Sequence, residues 1–183
     1  REVRNHRSAI RAKVDELSLL DLILEWCKYA AEHHPLVETY GSMLHAHDRH
    51  PRSRFLLLLQ ALEGLHGYET RNEYSRRTLS HLSKREQVIN SLNGMVDRDM
   101  MQFVKKHLSK FPHTGLDAVL KSMTDALPID IMGRIAATSL VEEVMSDPSV
   151  RTPANALRII RNNLAHGKRG YDAFQLDEVV RIL

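Results

Sequence analysis

The sequence predicts an all-α fold, a bundle of about six or seven helices. Apolar residues recur at spacings of three and four along most of the chain, as on one face of a helix. No segment alternates apolar and polar residues for long enough to form a sheet, and no internal repeat is found. Capping and turn residues separate the periodic segments.

Length and composition favour one globular domain over residues 1–183. Of the residues, 43% are apolar and 27% are charged, which is typical of a packed domain rather than a disordered or membrane chain. The net charge of +3 is only mildly compatible with a polyanionic partner. No apolar run approaches the roughly 20 residues that a membrane span requires.

The cysteine content predicts the cellular compartment, and the first residue bears on whether the chain is part of a longer protein. A single cysteine, Cys27, excludes an internal disulfide and a cysteine zinc cluster, so we expect a reducing, cytoplasmic location. The chain begins with Arg1 and no signal-peptide pattern follows. We therefore expect a domain from a longer protein, with an upstream sensor domain missing.

The first two predicted helices differ in their apolar pattern. An apolar stripe predicts a long first helix that ends before Pro35. The stripe consists of Ile10, Val14, Leu17, Leu20, Leu24, Cys27 and Ala31. Because Cys27 belongs to the stripe, we expect it in the core. A second helix follows the turn-rich segment 47–53. It is apolar nearly all round, from Phe55 to Leu59 and at Leu62 and Leu65, so we expect it to be central.

Capping signals place the next helices. Ser83 and Glu86 have the spacing of a capping box, which predicts a helix start there. Thr114 and Asp117 are candidate caps of a short helix, and Pro128 fits the first turn of another. The latter would carry Met132, Ile135, Leu140 and Val144.

Turn residues delimit the last elements. Asn93-Gly94 is expected to interrupt a helix, and Asp147-Pro148-Ser149 to form a turn. Thr152 is a predicted N-cap with Pro153 at the first helical position, where proline lacks only an N–H that would be unpaired anyway. Gly167 is the predicted stop of this helix.

The helix from Thr152 to about His166 separates apolar from polar residues. Leu157, Ile160 and Leu164 fall on one face, which must pack inward. Asn162 and His166 lie nearly opposite this face, with Arg158 beside them and Arg161 on the flank.

Arg161 and His166 are not simple neighbours on this helix. Five residues place them roughly 140° apart on an ideal helix. Co-operation would require the arginine to wrap around, the helix end to distort, or a second copy to complete the site. The apolar Ile159 on the outward face hints that this face is covered, as in a two-fold dimer.

The segment Arg161-Asn162-Asn163-Leu164-Ala165-His166-Gly167, hereafter RNNLAHG, resembles the signature of HEPN domains. That signature is an arginine, then a polar residue, then a histidine four to six positions after the arginine. The segment 54–66, RFLLLLQALEGLH, is similar to the earlier helix of HEPN proteins of the ApeA anti-phage type. The resemblance implies a HEPN-like helical bundle.

The resemblance also implies an activity, that of a metal-independent endoribonuclease in prokaryotic anti-phage defence through abortive infection. It implies a homodimer with a composite active site, Arg161 and His166 as the catalytic pair, and Asn162 as the polar residue. Histidine can move protons at the 2′-hydroxyl or the leaving oxygen, and arginine can stabilise charge on the phosphate. RNA would then end in a 2′,3′-cyclic phosphate, and DNA would resist cleavage.

Further residues are candidates for supporting roles. Lys168 and Arg169 follow the motif and, with Arg158, are expected to contact RNA phosphates. Glu63 either orients His166, positions Arg161, pairs with another arginine in the core, or is merely exposed. For His66 on the same face, we expect a structural role.

Two other polar segments have simpler interpretations. His45, His47, Asp48 and His50 resemble a metallohydrolase motif, but Arg49 breaks its register, so we expect an exposed polar loop and no metal or cofactor. The stretch Arg71 to Arg77, with Tyr74 inside it, either contacts RNA or is a solvated helix end. No phosphate-binding loop or serine-hydrolase motif is present.

Three functions remain open on the sequence. The first is the HEPN endoribonuclease. The second is a catalytically inactive HEPN module that binds a nucleotide or RNA and dimerises through RNNLAHG, and the third is a purely structural helical domain.

Overall fold

A computed structural model of the chain describes residues 18–44 and 49–183, and every regular element in these ranges is an α-helix. The predicted all-α class is confirmed, but the described residues form ten helices, more than the six or seven expected. In chain order these are α1 Leu19–Ala31, α2 Pro35–Leu44, α3 Pro51–Glu69, α4 Arg71–Leu92, α5 Arg98–His107, α6 Leu116–Asp125, α7 Ile131–Ala136, α8 Ser139–Met145, α9 Pro153–Ala165 and α10 Ala173–Ile182.

Two helices, α3 and α9, hold the core together. Helix α3 packs against α2, α6, α9 and α10, and α9 also packs against α6, α7 and α8. The apolar stripe of α9 is fully buried, as predicted, and so are Phe55 and Leu59 of α3. The central position expected for α3 is confirmed. Because α3 and α9 are in contact, residues 98 positions apart in the sequence can form one site.

Both ends of α9 are fixed by local hydrogen bonds. At its start the Thr152 side chain accepts from the Asn155 N–H at 3.1 Å, and Pro153 occupies the first turn. At its end Gly167 has a φ of +63°, a conformation that side chains disfavour, and Lys168 N–H donates to the Asn163 carbonyl at 2.9 Å. The predicted cap and stop are confirmed.

The capping box predicted at Ser83 is wrong, because α4 runs without interruption from Arg71 to Leu92. A serine and a glutamate three residues apart satisfy the same spacing inside a solvated helix. The predicted interruption at Asn93-Gly94 is confirmed, since α4 ends there and Gly94 has a φ of +84°. Helix α5 then packs back on α4.

Helix α6 begins close to the predicted position, whereas the next predicted helix begins later than Pro128 and is interrupted. Gly115 precedes α6, and neither Thr114 nor Asp117 caps it. The single helix predicted from Pro128 is two short ones, α7 and α8, which are separated at residues 137–138. Asp130 Oδ1 accepts from the Gly133 N–H at 2.7 Å and so caps the start of α7. The buried hydroxyl of Thr138 donates to the carbonyl of Ile135 at 2.7 Å, between α7 and α8.

The turn at Asp147-Pro148-Ser149 connects α8 to the segment that leads into α9, as predicted. The Asp147 carboxylate accepts from the Ser149 N–H at 2.9 Å. This hydrogen bond to the charged form lowers the pKa of Asp147.

Helix α1 lies outside the core, which corrects one prediction. None of its residues is buried, and Cys27 is exposed rather than in the core. The physical reason is that α1 packs against α2, which covers little of its apolar face. Ile10, Val14 and Leu17 of the predicted stripe lie outside the described residues. None of the described helices is long and apolar enough to cross a bilayer.

Candidate functional site

The guanidinium of Arg161 is held at both ends by polar side chains. Its Nη2 donates to Glu63 Oε2 at 2.9 Å, and its Nη1 donates to Asn162 Oδ1 at 3.1 Å. The Arg161 side chain is 34% exposed and that of Glu63 is 31% exposed. The pair is therefore fixed between α3 and α9 but remains reachable from solvent.

The contact shows which residue Glu63 pairs with. Among the described contacts, Glu63 bonds to Arg161, and none joins it to His166. A carboxylate opposite a guanidinium fixes both the position and the charge of the arginine. The contact fits both a positioning role for Glu63 and a structural ion pair between α3 and α9, and it does not bring Glu63 to His166.

His166 is the C-cap residue of α9, and its side chain is exposed. Within residues 18–44 and 49–183, its ring forms no hydrogen bond or ion pair, and no contact joins it to Arg161. Gly167 and Lys168 close the helix end behind it through hydrogen bonds to Leu164 and Asn163. The imidazole is therefore free to meet a substrate or a second chain.

Arg52 belongs to the same region and was not predicted. Its Nη2 donates to the Leu164 carbonyl at 2.6 Å, so α3 caps the last turn of α9. A cation is favourable at a helix C-terminus, where carbonyl groups lack partners. No local signal at Arg52 points to this contact, because the two residues are 112 positions apart.

The three predicted phosphate-binding residues differ in how far protein partners already engage them. Arg158 Nε lies 3.9 Å from Asp117 Oδ2, a loose ion pair. Arg169 Nη2 donates to Glu143 Oε1 at 2.6 Å. Lys168 is exposed and makes no ion pair within the described part of the chain. Of the three, Lys168 is the most available to an anion.

Two neighbouring polar and aromatic groups stabilise the segment after the motif. Asn163 Nδ2 donates to the Tyr171 hydroxyl at 2.8 Å, and the Arg169 guanidinium lies 5.1 Å from the centre of the Tyr171 ring. Neither contact was predicted. The tyrosine anchors the residues after Gly167 onto α9 and so fixes the direction of the chain beyond His166.

Ile159 does not support a covered dimer face. It is half-buried and packs against the core of its own chain. Packing within the chain therefore accounts for an apolar residue at this position without a partner.

The histidine-rich segment before α3 is described only at its end. Within the two described ranges, no group of three or more His, Cys, Asp or Glu side chains is arranged to hold a metal ion. His45, His47 and Asp48 lie outside the described residues. His50 Nδ1 accepts from the Arg52 N–H at 3.2 Å, so this histidine caps the start of α3.

A cleft of about 460 Å³ adjoins the Glu63–Arg161 pair. It lies between α3, the start of α4, residues 112–114 and α6, and Glu63 and His66 form part of its α3 wall. Tyr74 and Arg77, from the basic stretch noted in the sequence, line its α4 wall. This cleft was not predicted, because it depends on how α4 leaves α3.

Comparison with known proteins assigns the chain to no family. No protein-family model, curated protein or solved structure matches the chain. The resemblance to HEPN domains therefore depends on RNNLAHG and on segment 54–66.

Proposed function

We propose that this chain is a metal-independent endoribonuclease domain of the HEPN type, which acts as a homodimer in prokaryotic anti-phage defence. One observation carries the proposal: Arg161 is clamped by Glu63 and Asn162, and the imidazole of His166 is exposed at the end of the same helix. The role in defence follows from the family resemblance.

The clamp suits a phosphate-binding arginine. A guanidinium has five N–H donors, and the bonds to Glu63 and Asn162 leave some of them unused. A guanidinium fixed in this way needs little reorganisation to hold a phosphate and to stabilise charge that develops on it. The partial exposure of Arg161 leaves room for the ligand.

The reaction is an intramolecular transfer within RNA. A His166 imidazole in its neutral form takes the proton of the 2′-hydroxyl, and the 2′-oxygen forms a bond to the adjacent phosphorus. The bond from phosphorus to the 5′-oxygen breaks, and an imidazolium donates a proton to that oxygen. The products are a 2′,3′-cyclic phosphate and a free 5′-hydroxyl, and the imidazolium of His166 formed in the first proton transfer is the acid of the second.

A second candidate function is favoured by one feature of the same contact. The carboxylate of Glu63 neutralises Arg161, as it would if the arginine only held α9 against α3. On this alternative the chain is a non-catalytic module that binds a nucleotide or RNA and dimerises.

Cleavage of RNA in the presence of a chelator tests the proposal. Wild type should give fragments that end in a cyclic phosphate, and His166→Ala and Arg161→Ala should each lower the rate by roughly 10²- to 10⁴-fold. His107→Ala and Arg98→Ala are matched controls on α5, because both side chains are exposed and α5 packs on α4 rather than on α9. The controls should cleave like wild type.

A second substrate tests the chemistry. RNA with a single 2′-deoxy nucleotide at the mapped cleavage position should resist cutting there. If wild type leaves RNA intact, the binding module is the better conclusion. Equal loss of activity in the α5 controls would show an effect on folding rather than on the site.

A further inference from the structure

The cleft beside Glu63 and the RNNLAHG motif share a wall. Glu63 lines the cleft, and its Oε2 atom accepts from Arg161 Nη2 at 2.9 Å. The Arg161 guanidinium thus contacts a residue that lines the cleft, although it does not line the cleft itself. A volume of about 460 Å³ falls within the roughly 300–1,000 Å³ that is typical of small-molecule pockets.

The opposite wall, from α4, places an aromatic ring close to a cation. Tyr74 is 40% exposed, so part of its ring is open to a planar ligand. Arg77 also lines the cleft, and its bond to Thr114 Oγ1, at 3.5 Å, is long. An aromatic ring for stacking and a weakly engaged arginine for phosphate are the groups with which proteins bind single-stranded nucleic acid.

Three further side chains bring unused hydrogen-bonding groups to the cleft. His66, Glu73 and His113 line it, and over residues 18–44 and 49–183 none of these side chains forms a hydrogen bond or ion pair. The carboxylate of Glu73 accepts hydrogen bonds and repels phosphate. The edge of a base with an amino group, rather than a phosphate, is therefore the part of a nucleotide that fits against Glu73.

We infer that this cleft binds one unstacked nucleotide of a single RNA strand, with its base on Tyr74 and a flanking phosphate near Arg77. Stacking a splayed base on an aromatic side chain is how proteins read single-stranded RNA. The inference rests on the proposed function and deepens it, because it names single-stranded rather than duplex RNA as the substrate of the site.

Binding of a short 2′-O-methyl oligocytidine, measured by fluorescence polarisation, tests the inference. This probe cannot be cut by 2′-hydroxyl attack, and the amino group of cytosine can donate to Glu73. Tyr74→Ala should weaken binding by about tenfold to a hundredfold, and Tyr74→Phe, which keeps the ring, should bind like wild type. Urea unfolding of the Ala variant, followed by circular dichroism, shows whether its loss reflects misfolding.

A neighbouring pair of arginines gives a matched control for charge. Arg77 lines the cleft, whereas Arg76 is exposed and does not. Arg77→Gln should weaken binding and lower the salt dependence by about one released counterion, and Arg76→Gln should do so much less. Equal effects of the two variants, an unchanged affinity in Tyr74→Ala, or no binding by wild type would each overturn the inference.

The two proposals can fail separately. If the probe binds with the expected variant pattern but unmodified RNA is never cut, the endoribonuclease is wrong and the binding cleft stands. If RNA is cut but Tyr74→Ala and Arg77→Gln bind the probe like wild type, the cleft inference is wrong and the endoribonuclease stands.

Discussion

The contact between Glu63 and Arg161 gives the sharpest test of the site, because its strength can be measured without any substrate. Glu63→Gln removes the charge but keeps the shape and an acceptor oxygen, and Arg161→Gln removes the other partner. The two single variants, the double variant and wild type form a double-mutant cycle. The cycle isolates the coupling energy of the pair from other effects of each change.

The expected coupling follows from distance and exposure. At 2.9 Å, two unit charges interact by about 1.4 kcal/mol at a dielectric constant near 80 and by about 6 kcal/mol near 20. Both side chains are about one-third exposed, so solvent screening and the cost of desolvation remove most of the larger value. We expect a coupling of about 1 kcal/mol.

Two other ion pairs calibrate this value. Arg158 and Asp117 are 3.9 Å apart and 37% and 40% exposed, so their coupling should be close to zero. Arg54 and Asp177 are 2.6 Å apart and only 16% exposed each, so theirs should be about 2 kcal/mol. Urea unfolding followed by circular dichroism measures all three cycles.

The ranking of the three coupling energies decides whether Glu63 holds Arg161 in solution. A Glu63–Arg161 coupling below about 0.3 kcal/mol is within the error of additivity and would refute the clamp. So would a larger coupling in the Arg158–Asp117 pair. If the clamp is real and positions Arg161, Glu63→Gln should also lower the rate of RNA cleavage while Arg161 remains charged.

Three predictions concern the remaining elements. Gly167→Ala should destabilise the fold by about 1 kcal/mol because of the positive φ. Gly64→Ala in α3 should stabilise it by about 0.5–1 kcal/mol, since an added Cβ there meets no atom within 4 Å. Changes of the same sign in the free energy of unfolding, measured in urea, would contradict this. Thr152→Ala should cost about 1 kcal/mol through loss of the N-cap, and an unchanged unfolding midpoint would show that the hydrogen bond contributes nothing. Cys27 should react with a thiol reagent in the native protein, and a thiol that reacts only in denaturant would contradict its exposed position.

Local signals were sufficient where the element depends on its own residues. Thr152 and Gly167 fix the ends of α9 through bonds to residues at most four positions away, so their meaning is readable in sequence. The capping box predicted at Ser83 was wrong because its spacing is equally compatible with the interior of a solvated helix such as α4. Cys27 misled differently: periodicity predicts an apolar face but not which element covers it.

The site was predictable in part. RNNLAHG marked Arg161, Asn162 and His166, and an acid inside an apolar helix marked Glu63 as a candidate partner. The contact between Arg161 and Glu63 spans 98 positions, and that between Arg52 and Leu164 spans 112. Such contacts depend on how α3 crosses α9, and no local pattern contains that information.

The separation of Arg161 from His166 bears on whether one chain can complete the proposed active site. Arg161 is committed to α3 through Glu63, whereas His166 is exposed at the end of α9 and has no described contact with Arg161. An arginine held in this way is not free to wrap around the helix towards its own histidine. A second chain related by a two-fold axis would supply the missing partner.

Mixing two inactive variants tests this geometry. Chains with Arg161→Ala lack the guanidinium, and chains with His166→Ala lack the imidazole, so neither homodimer should cut RNA. Random exchange of subunits makes about half of the dimers mixed, and each mixed dimer contains one Arg161 and one His166 on different chains. Because a composite pocket joins groups across the interface, the mixture should recover cleavage that neither variant shows alone. If wild type cuts RNA but the exchanged mixture does not, each chain must provide both groups itself, and the held arginine must then be released from Glu63 before it can act.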